Sequence, residues 1–288
     1  VTIFNLGSIN IDKTYRVPHL PAPGETLAAT AVHEGLGGKG ANMSVAAARA
    51  AARVVHVGAI GADGRWTRDR LMEYGVDTRH IAESTGQTGH AVIAVAEDGE
   101  NQILIWPGVN GEIAEDAVAA ALVEAQPGDW LLLQNETNAQ AEAARMAREQ
   151  GLRVLYAAAP FNVDAVQAVL PDVDLLVLNA VEGTQLTRAL RRELSALGVE
   201  DVVVTLGSEG CRHLGPDGET HHPAFPATVR DTTGAGDTFT GYLAAGLDRG
   251  QPMAQAIRTA QRAGALMVAR EGTADVIPDL REVQDSAL

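Results

Sequence analysis

Short apolar runs alternate along the chain with longer stretches in which apolar residues recur every three or four positions. Residues 1–9, 54–60, 130–134, 153–156, 175–178 and 202–206 are β-branched or leucine-rich runs that read as buried strands. Between them, residues 41–52, 114–125, 139–150 and 186–197 carry the alanine-rich, 3.6-residue period of helices. Strand alternating with helix predicts a mostly parallel central sheet with helices on both faces, an α/β three-layer sandwich. Two stretches break this rhythm. Residues 12–34 and 89–106 alternate apolar with polar positions, and the second contains Glu97-Asp98-Gly99-Glu100-Asn101, a hairpin turn. Half-buried antiparallel strands inserted at two places predict a small sheet, built from discontinuous sequence, that stands off the main body as a lid. From Thr233 onward the chain turns helical, with residues 236–249 and 252–270 as long helices. A length of 288 residues suits one large domain over 1–288 that includes this lid.

Composition narrows the partners. With 46% hydrophobic and 20% charged residues the chain can bury a sizeable core, which excludes a disordered segment. The 22 Lys and Arg against 37 Asp and Glu leave a net charge of −15. Such a surface repels nucleic-acid backbones and anionic membranes unless basic residues cluster, and no basic run exceeds Arg191-Arg192. An anionic ligand such as ATP must then be held by local devices: amides at helix starts, a metal ion, a few placed cations. Cys211 is alone, so no intrachain disulfide forms, consistent with a reducing compartment. No run approaches the roughly 18 apolar residues of a membrane helix, and Val1-Thr2-Ile3-Phe4-Asn5 has neither a basic nor a long apolar leader region. A cytoplasmic location is the expectation.

Two glycine-rich segments carry the chemistry. Residues 35–42 read Gly-Leu-Gly-Gly-Lys-Gly-Ala-Asn and run into the helix that follows. Gly35, Gly37 and Gly40 satisfy the dinucleotide pattern G-x-G-x-x-G, but the first strand lies far upstream and the next strand ends without an acidic residue for a ribose. A Walker loop fails as well, because Gly40 rather than Ser or Thr follows Lys39. The segment reads either as a flexible turn or as backbone brought close to a polar ligand, with Asn42 offering donors and acceptors to hydroxyls. Residues 231–241 read Asp-Thr-Thr-Gly-Ala-Gly-Asp-Thr-Phe-Thr-Gly ahead of an apolar helix. Here Gly234, Ala235 and Gly236 would present consecutive unpaired N–H groups at a positive helix end, an anion cradle, with Asp237 in the first turn. These parts suit phosphoryl transfer to an alcohol, which asks a protein for positioning, charge stabilisation and a carboxylate to take the hydroxyl proton. Asp237 would accept that proton late, as the acceptor oxygen bonds to phosphorus.

The two motifs, their order and their separation resemble the signatures of the PfkB-type carbohydrate kinase family, and within it the ribokinases. The resemblance runs from Gly7-Ser8-Ile9-Asn10-Ile11-Asp12 to Arg270-Glu271-Gly272. It implies a ribokinase-like fold, a β-sheet lid that often mediates homodimerisation, ATP with Mg²⁺, and transfer of the γ-phosphoryl group to a primary hydroxyl, D-ribose to D-ribose 5-phosphate being the leading reaction. Another sugar, a nucleoside, or a sugar-binding sensor without catalysis are the alternatives. By the resemblance, Asn10, Asp12, Gly38, Lys39, Asn42 and Glu136 contact the sugar, and Asp237 with Gly234, Ala235 and Gly236 is the catalytic set. Glu136 follows the 130–134 strand, at a carboxyl end where α/β sheets bind ligands. Asn179-Ala180-Val181-Glu182 resembles the element that organises phosphate and, through water, Mg²⁺ at Glu182; a helix N-cap is the rival reading of Asn179. Thr205, Gly207, Ser208 and Gln261 match nucleotide-side positions. Asp231, Thr233, Arg270 and Gly272 match a monovalent-cation (K⁺) site, which departs from the family at Val276, where a side-chain oxygen is expected. Cys211 reads as a small buried hydrophobe, His221-His222 as a loop pair, and Trp106 as either a sugar cover or interface packing.

Overall fold

The computed structural model describes all 288 residues. Thirteen strands form two sheets. The strands are β1 (Thr2–Leu6), β2 (Asn10–Val17), β3 (Ala31–Gly37), β4 (Arg53–Gly61), β5 (Asp77–Ser84), β6 (Gly89–Ala96), β7 (Asn101–Trp106), β8 (Trp130–Gln134), β9 (Arg153–Ala157), β10 (Leu175–Asn179), β11 (Asp201–Thr205), β12 (Cys211–Gly215) and β13 (Gly218–His222). The helices are α1 (Lys39–Arg49), α2 (Arg65–Glu73), α3 (Glu115–Leu122), α4 (Gln140–Glu149), α5 (Val163–Val169), α6 (Ala180–Leu190), α7 (Ala235–Asp248), α8 (Met253–Met267) and α9 (Leu280–Asp285). The large sheet has nine strands in the order β13-β12-β11-β10-β9-β8-β1-β4-β5, and the small one four in the order β3-β2-β6-β7. From β11 to β5 every neighbour pair is parallel, and the antiparallel hairpin β12–β13 extends the edge. No helix is long and apolar enough to cross a membrane.

The continuous apolar runs are explained by burial on both faces. Successive residues of a strand point to opposite sides. Ile3, Val54, Leu132, Leu155 and Val203 join one core with α1, α7 and α8. Their neighbours Phe4, Val55, Leu131, Val154 and Val202 join a second core with α3, α4 and α5. A parallel sheet covered twice in this way needs no polar face.

Four expectations change. The first strand ends at Leu6, not at residue 9, because Gly7 lies against Gly40 and the chain then turns into the small sheet. The helix expected over 186–197 is α6, which starts at Ala180: Asn179 and Glu182 form a reciprocal capping box, and Arg191 in the left-handed region ends it. In the small sheet β2–β3 and β6–β7 are antiparallel as expected, but the central pair β2–β6 is parallel, since the two hairpins arrive from separate parts of the chain. Helices α2, α5 and α9, strand β5 and the β12–β13 hairpin are additional. His221 and His222 accordingly lie in β13 rather than in a loop.

Helices α1 and α7 meet face to face. A Cβ at Gly241 would fall 2.6 Å from Met43 O and 2.6 Å from Ala46 Cβ, so the two backbones touch where only hydrogen fits. Gly241→Ala should lower the free energy of unfolding by about 1–3 kcal/mol through overpacking, measured by urea denaturation; an unchanged midpoint would contradict the contact.

Candidate active site

The carboxyl ends of β1, β8, β10 and β11 open onto one edge of the large sheet, and α1 and α7 begin there. Gly38 starts α1 with φ of 91°, and Gly234 starts α7 with φ of 72°, backbone that favours glycine. Each glycine-rich segment is thus the entrance to a helix whose positive end faces the same space.

The side chains interlock across that space. Asn42 Nδ2 donates to Asp237 Oδ2 at 2.9 Å, and Lys39 Nζ lies 3.9 Å from Asp237 Oδ1. Glu136 Oε2 accepts from Ser8 Oγ at 2.5 Å and from the Lys39 amide at 3.0 Å. The Gly40 amide donates to Ser8 Oγ at 3.2 Å. Asn10 Oδ1 accepts from Asn110 Nδ2 at 2.8 Å, while Asn110 Oδ1 takes the Ile9 amide at 2.9 Å. Asp12 lies over Gly37, where a Cβ would fall 2.1 Å from its carboxyl. Asn10, Asp12, Gly38, Lys39, Asn42 and Glu136, the residues expected to contact a sugar, are therefore drawn together with Asp237.

At the start of α7 the cradle differs in one detail from expectation. The Ala235 amide donates to Thr232 O at 3.2 Å, closing a turn, whereas no acceptor within the chain takes the Gly234 and Gly236 amides. Two of the three N–H groups are free for an anion, and Asp237 is buried behind them.

Three carboxylates crowd one ammonium. Burial, then Glu136 and Asp237, push the Asp12 carboxyl up to about 7. Burial also raises Glu182, against the Asn179 amide and Lys39. Lys39 is raised by Asp237 first, with Glu136 and Glu182 adding to it. These mutual effects put Glu182 electrically within the same site as Lys39 and Asp237.

The residues expected on the nucleotide side lie apart from this cluster. Asn179 pairs with Thr205 in the sheet register, so both end neighbouring strands. Asn179 Oδ1 accepts from the Glu182 amide at 2.9 Å, which realises the N-cap reading. Gly207 and Ser208 are exposed in the short turn after β11. Gln261 Nε2 donates to His222 O at 2.8 Å, tying α8 to β13. Buried Cys211 has its thiol pushed up to about 12, an inert group. Asp231 accepts from the Thr233 amide at 2.8 Å and the Gly272 amide at 3.3 Å, and Arg270 Nη1 donates to Val276 O at 3.0 Å. A guanidinium on that carbonyl and an isopropyl group at 276 do not fit a ring of oxygen ligands for K⁺.

Beneath the site runs a buried polar chain that the motifs do not announce. Gln134 Nε2 donates to Asn5 Oδ1 at 2.6 Å; Asn5 Nδ2 donates to Gly40 O at 2.8 Å and Ser44 Oγ at 2.7 Å. His56 Nδ1 lies 2.8 Å from Ser44 Oγ and Nε2 lies 3.1 Å from Gly7 O. Because a carbonyl only accepts, Nε2 carries the hydrogen and Ser44 donates to Nδ1. Burial holds His56 down at about 4, so it stays neutral. A polar residue inside an otherwise apolar strand is the signal that marks Asn5 and His56. Ser8 and Asn110 are the other missed residues.

The pfkB family carbohydrate kinase model matches residues 2–280. The chain belongs to that family. It is 34% identical over 296 residues to a ribokinase of Haemophilus influenzae, covering 98% of this chain and 96% of that protein. Among solved structures, a ribokinase of Cryptococcus neoformans in complex with ADP shares 31% identity with a TM-score of 0.84, covering 99% and 98% of the two chains. A ribokinase of Arabidopsis thaliana complexed with ribose and ATP shares 28% identity at a TM-score of 0.86, covering 98% and 97%. As a carbohydrate kinase of this family the chain is a phosphotransferase with an alcohol acceptor, and the site sits where its two glycine motifs meet.

The raised Asp12 carboxyl has a sign that can be tested. Its ordinary value is 3.8, so folding favours the protonated form, and the stability that form contributes is lost as pH rises through about 7. Asp12→Asn should therefore unfold with a free energy on the order of 1–3 kcal/mol above wild type at pH 8. The gain should shrink toward pH 4, in paired urea titrations.

Proposed function

We propose that the protein transfers the γ-phosphoryl group of ATP to a primary hydroxyl of a pentose, D-ribose being the substrate and D-ribose 5-phosphate the product. The observation that carries this reading is the buried carboxylate of Asp237, placed between Asn42 and Lys39 and directly behind the free amides of Gly234 and Gly236. A base for an alcohol and donors for a migrating phosphoryl group thus stand side by side. The ribokinase relatives with ADP, and with ribose and ATP, support the choice of substrates.

Asn42 gives its N–H to Asp237 and keeps Oδ1, buried and without a partner in the chain, as an acceptor for a sugar hydroxyl. Asp12, Asn10 and Glu136 supply further polar groups suited to a polyol. Asp237 orients the primary hydroxyl and takes its proton as the oxygen bonds to phosphorus. The Gly234 and Gly236 amides and Lys39 stabilise the charge on the transferring group.

Mg²⁺ supplies charge neutralisation to nucleotide phosphates when bound. No cluster of three His, Cys, Asp or Glu is disposed to hold a metal by itself. A single carboxylate suits hydrated Mg²⁺ that takes its other ligands from phosphates. Glu182 is that carboxylate, acting through water beside Asn179. Thr205, Gly207 and Ser208 form the nucleotide side, and Gln261 borders it through β13. No step is assigned to K⁺. The setting is cytoplasmic, where ATP is available.

The small sheet serves as the lid, formed by residues 12–34 and 89–106, and as a homodimer interface. Strand β7 is an exposed edge in which Ile103, Leu104, Ile105 and Trp106 are 45–70% accessible. An unpaired apolar edge of this kind is a template for association, and a second copy covers it.

ADP release measured against a panel of sugars and nucleosides tests the substrate: ribose should be turned over and adenosine should not. Asp237→Asn should lower kcat at least about 100-fold with the KM for ATP changed by less than about threefold; equal turnover would remove Asp237 from the reaction. Light scattering of wild type should give twice the chain mass, and Leu104→Asp with Trp106→Asp should give the single chain. A monomeric wild type would refute the interface.

A further inference from the structure

The loop that precedes α1 and the cradle that starts α7 lie about two hundred residues apart, and a third segment touches the approaches to both. Thr273 Oγ1 donates to Leu36 O at 2.9 Å. Leu36 is buried in β3, the outer strand of the small sheet, and is followed at once by Gly37 and Gly38. Immediately before Thr273, the Gly272 amide donates to Asp231 Oδ2 at 3.3 Å. Asp231 Oδ1 accepts from the Thr233 amide at 2.8 Å, one residue before Gly234. The segment has its own foundations: Arg270 Nη1 donates to Val276 O and Nη2 to Glu282 Oε1 at 2.8 Å on α9. Arg49 on α1 donates to Ile277 O, and Arg70 and Tyr74 bond Asp275. Residues 270–277 are thus pinned from several elements.

We propose that Thr273 is a positioning residue that clamps the end of β3 to the phosphate cradle, so that the sugar loop and the donors for the transferring group keep one separation. A β3 edge carbonyl has no neighbouring strand on its outer side, and the Thr273 hydroxyl takes that place. Through Gly272 and Asp231 the same three-residue stretch steadies the turn that presents Gly234. The hydrogen bond to Leu36 O holds the strand that leads into Gly37, Gly38 and Lys39, so the clamp acts on sugar engagement without touching a ligand. The exposed pair Arg16–Glu271, 3.2 Å apart, adds little to it. The proposal rests on the phosphoryl-transfer reading above.

Thr273→Val keeps the shape and removes the hydroxyl, whereas Thr273→Ser keeps the hydroxyl. Valine should raise the KM for ribose about three- to tenfold, the range set by one lost hydrogen bond, with the KM for ATP within about twofold of wild type. Serine should restore the wild-type value, and Thr273→Ala, free of any crowding by the valine methyl, should behave as valine does. Amide hydrogen exchange of the free protein should accelerate in Thr273→Val at residues 36–39 and also at 234–237. Valine and serine variants with the same KM, or faster exchange confined to 36–39, would overturn the clamp. Exchange needs no turnover, so it judges the clamp even if Asp237→Asn were to show the phosphoryl-transfer reading to be wrong.

Discussion

The approach of α7 to α1 is the constraint from which the rest of the site follows. At Gly241 the two helices touch backbone to backbone, with Met43 O and Ala46 Cβ each 2.6 Å from where a Cβ would lie. One turn earlier on each helix, that closeness becomes the 2.9 Å hydrogen bond between Asn42 and Asp237. The second backbone contact, Gly7 against Gly40, seats α1 on the end of β1 and brings Ser8 to Glu136. The two helix starts can share one pocket because small residues let their axes come together, and a bulkier residue at the Gly241 contact would separate Asp237 from Asn42.

The electrostatics of the pocket oppose its own stability. Asp237, Glu136 and Glu182 surround Lys39, and Asp12 faces Glu136 and Asp237, in a chain that already carries a net charge of −15. Burial first, and then the negative charge of Glu136 and Asp237, push the Asp12 carboxyl upward. A neutral polyol tolerates such a site, because its hydroxyls donate to carboxylates without adding charge. An anion would be repelled by these carboxylates, and the one part of the pocket suited to it is the start of α7, where the Gly234 and Gly236 amides have no acceptor in the chain. His56 works in the opposite direction with respect to pH. Held near 4 from an ordinary value of 6.5, its neutral form contributes stability that fades as pH falls between those values, whereas the contribution of Asp12 fades as pH rises.

Most of the frame is legible in the sequence because a strand covered on both faces is mainly apolar, and β1, β4, β8, β10 and β11 each contain such a run, broken only by single polar residues such as Asn5, His56 and Gln134. The two glycine motifs were legible because each combines a backbone requirement with a polar residue one turn into a helix. Less visible were features whose signal is tertiary. Asn5, Ser44, His56 and Gln134 make one hydrogen-bonded chain only once β1, α1, β4 and β8 are assembled; the polar interruption of an apolar run marks Asn5 and His56, but not the partners they find. The start of α6 lies six residues ahead of the alanine- and leucine-rich period at 186, and of the two readings open for Asn179 and Glu182 the helix cap is the one that locates it. Strand β5, with its exposed and charged face, lacks the uninterrupted apolar run that reveals its neighbours.

The small sheet joins the rest of the molecule at a point that matters mechanically. Strand β3 leads through Gly37 and Gly38 directly into α1, so a tilt of the sheet rotates the Lys39 amide that Glu136 holds. On its other side β2 begins at Asn10, whose side chain is fixed by Asn110 at the foot of β7. Both strands that enter the sheet therefore carry sugar-side residues at their roots. A sheet rooted in this way is coupled to the pocket by covalent geometry, and the hydrogen bonds at Asn110 and Thr273 decide how stiff that coupling is. The orientation of the sheet and the placement of Lys39 and Asn42 beside Asp237 are therefore linked, since β3 runs through Gly37 and Gly38 into α1 with no intervening segment.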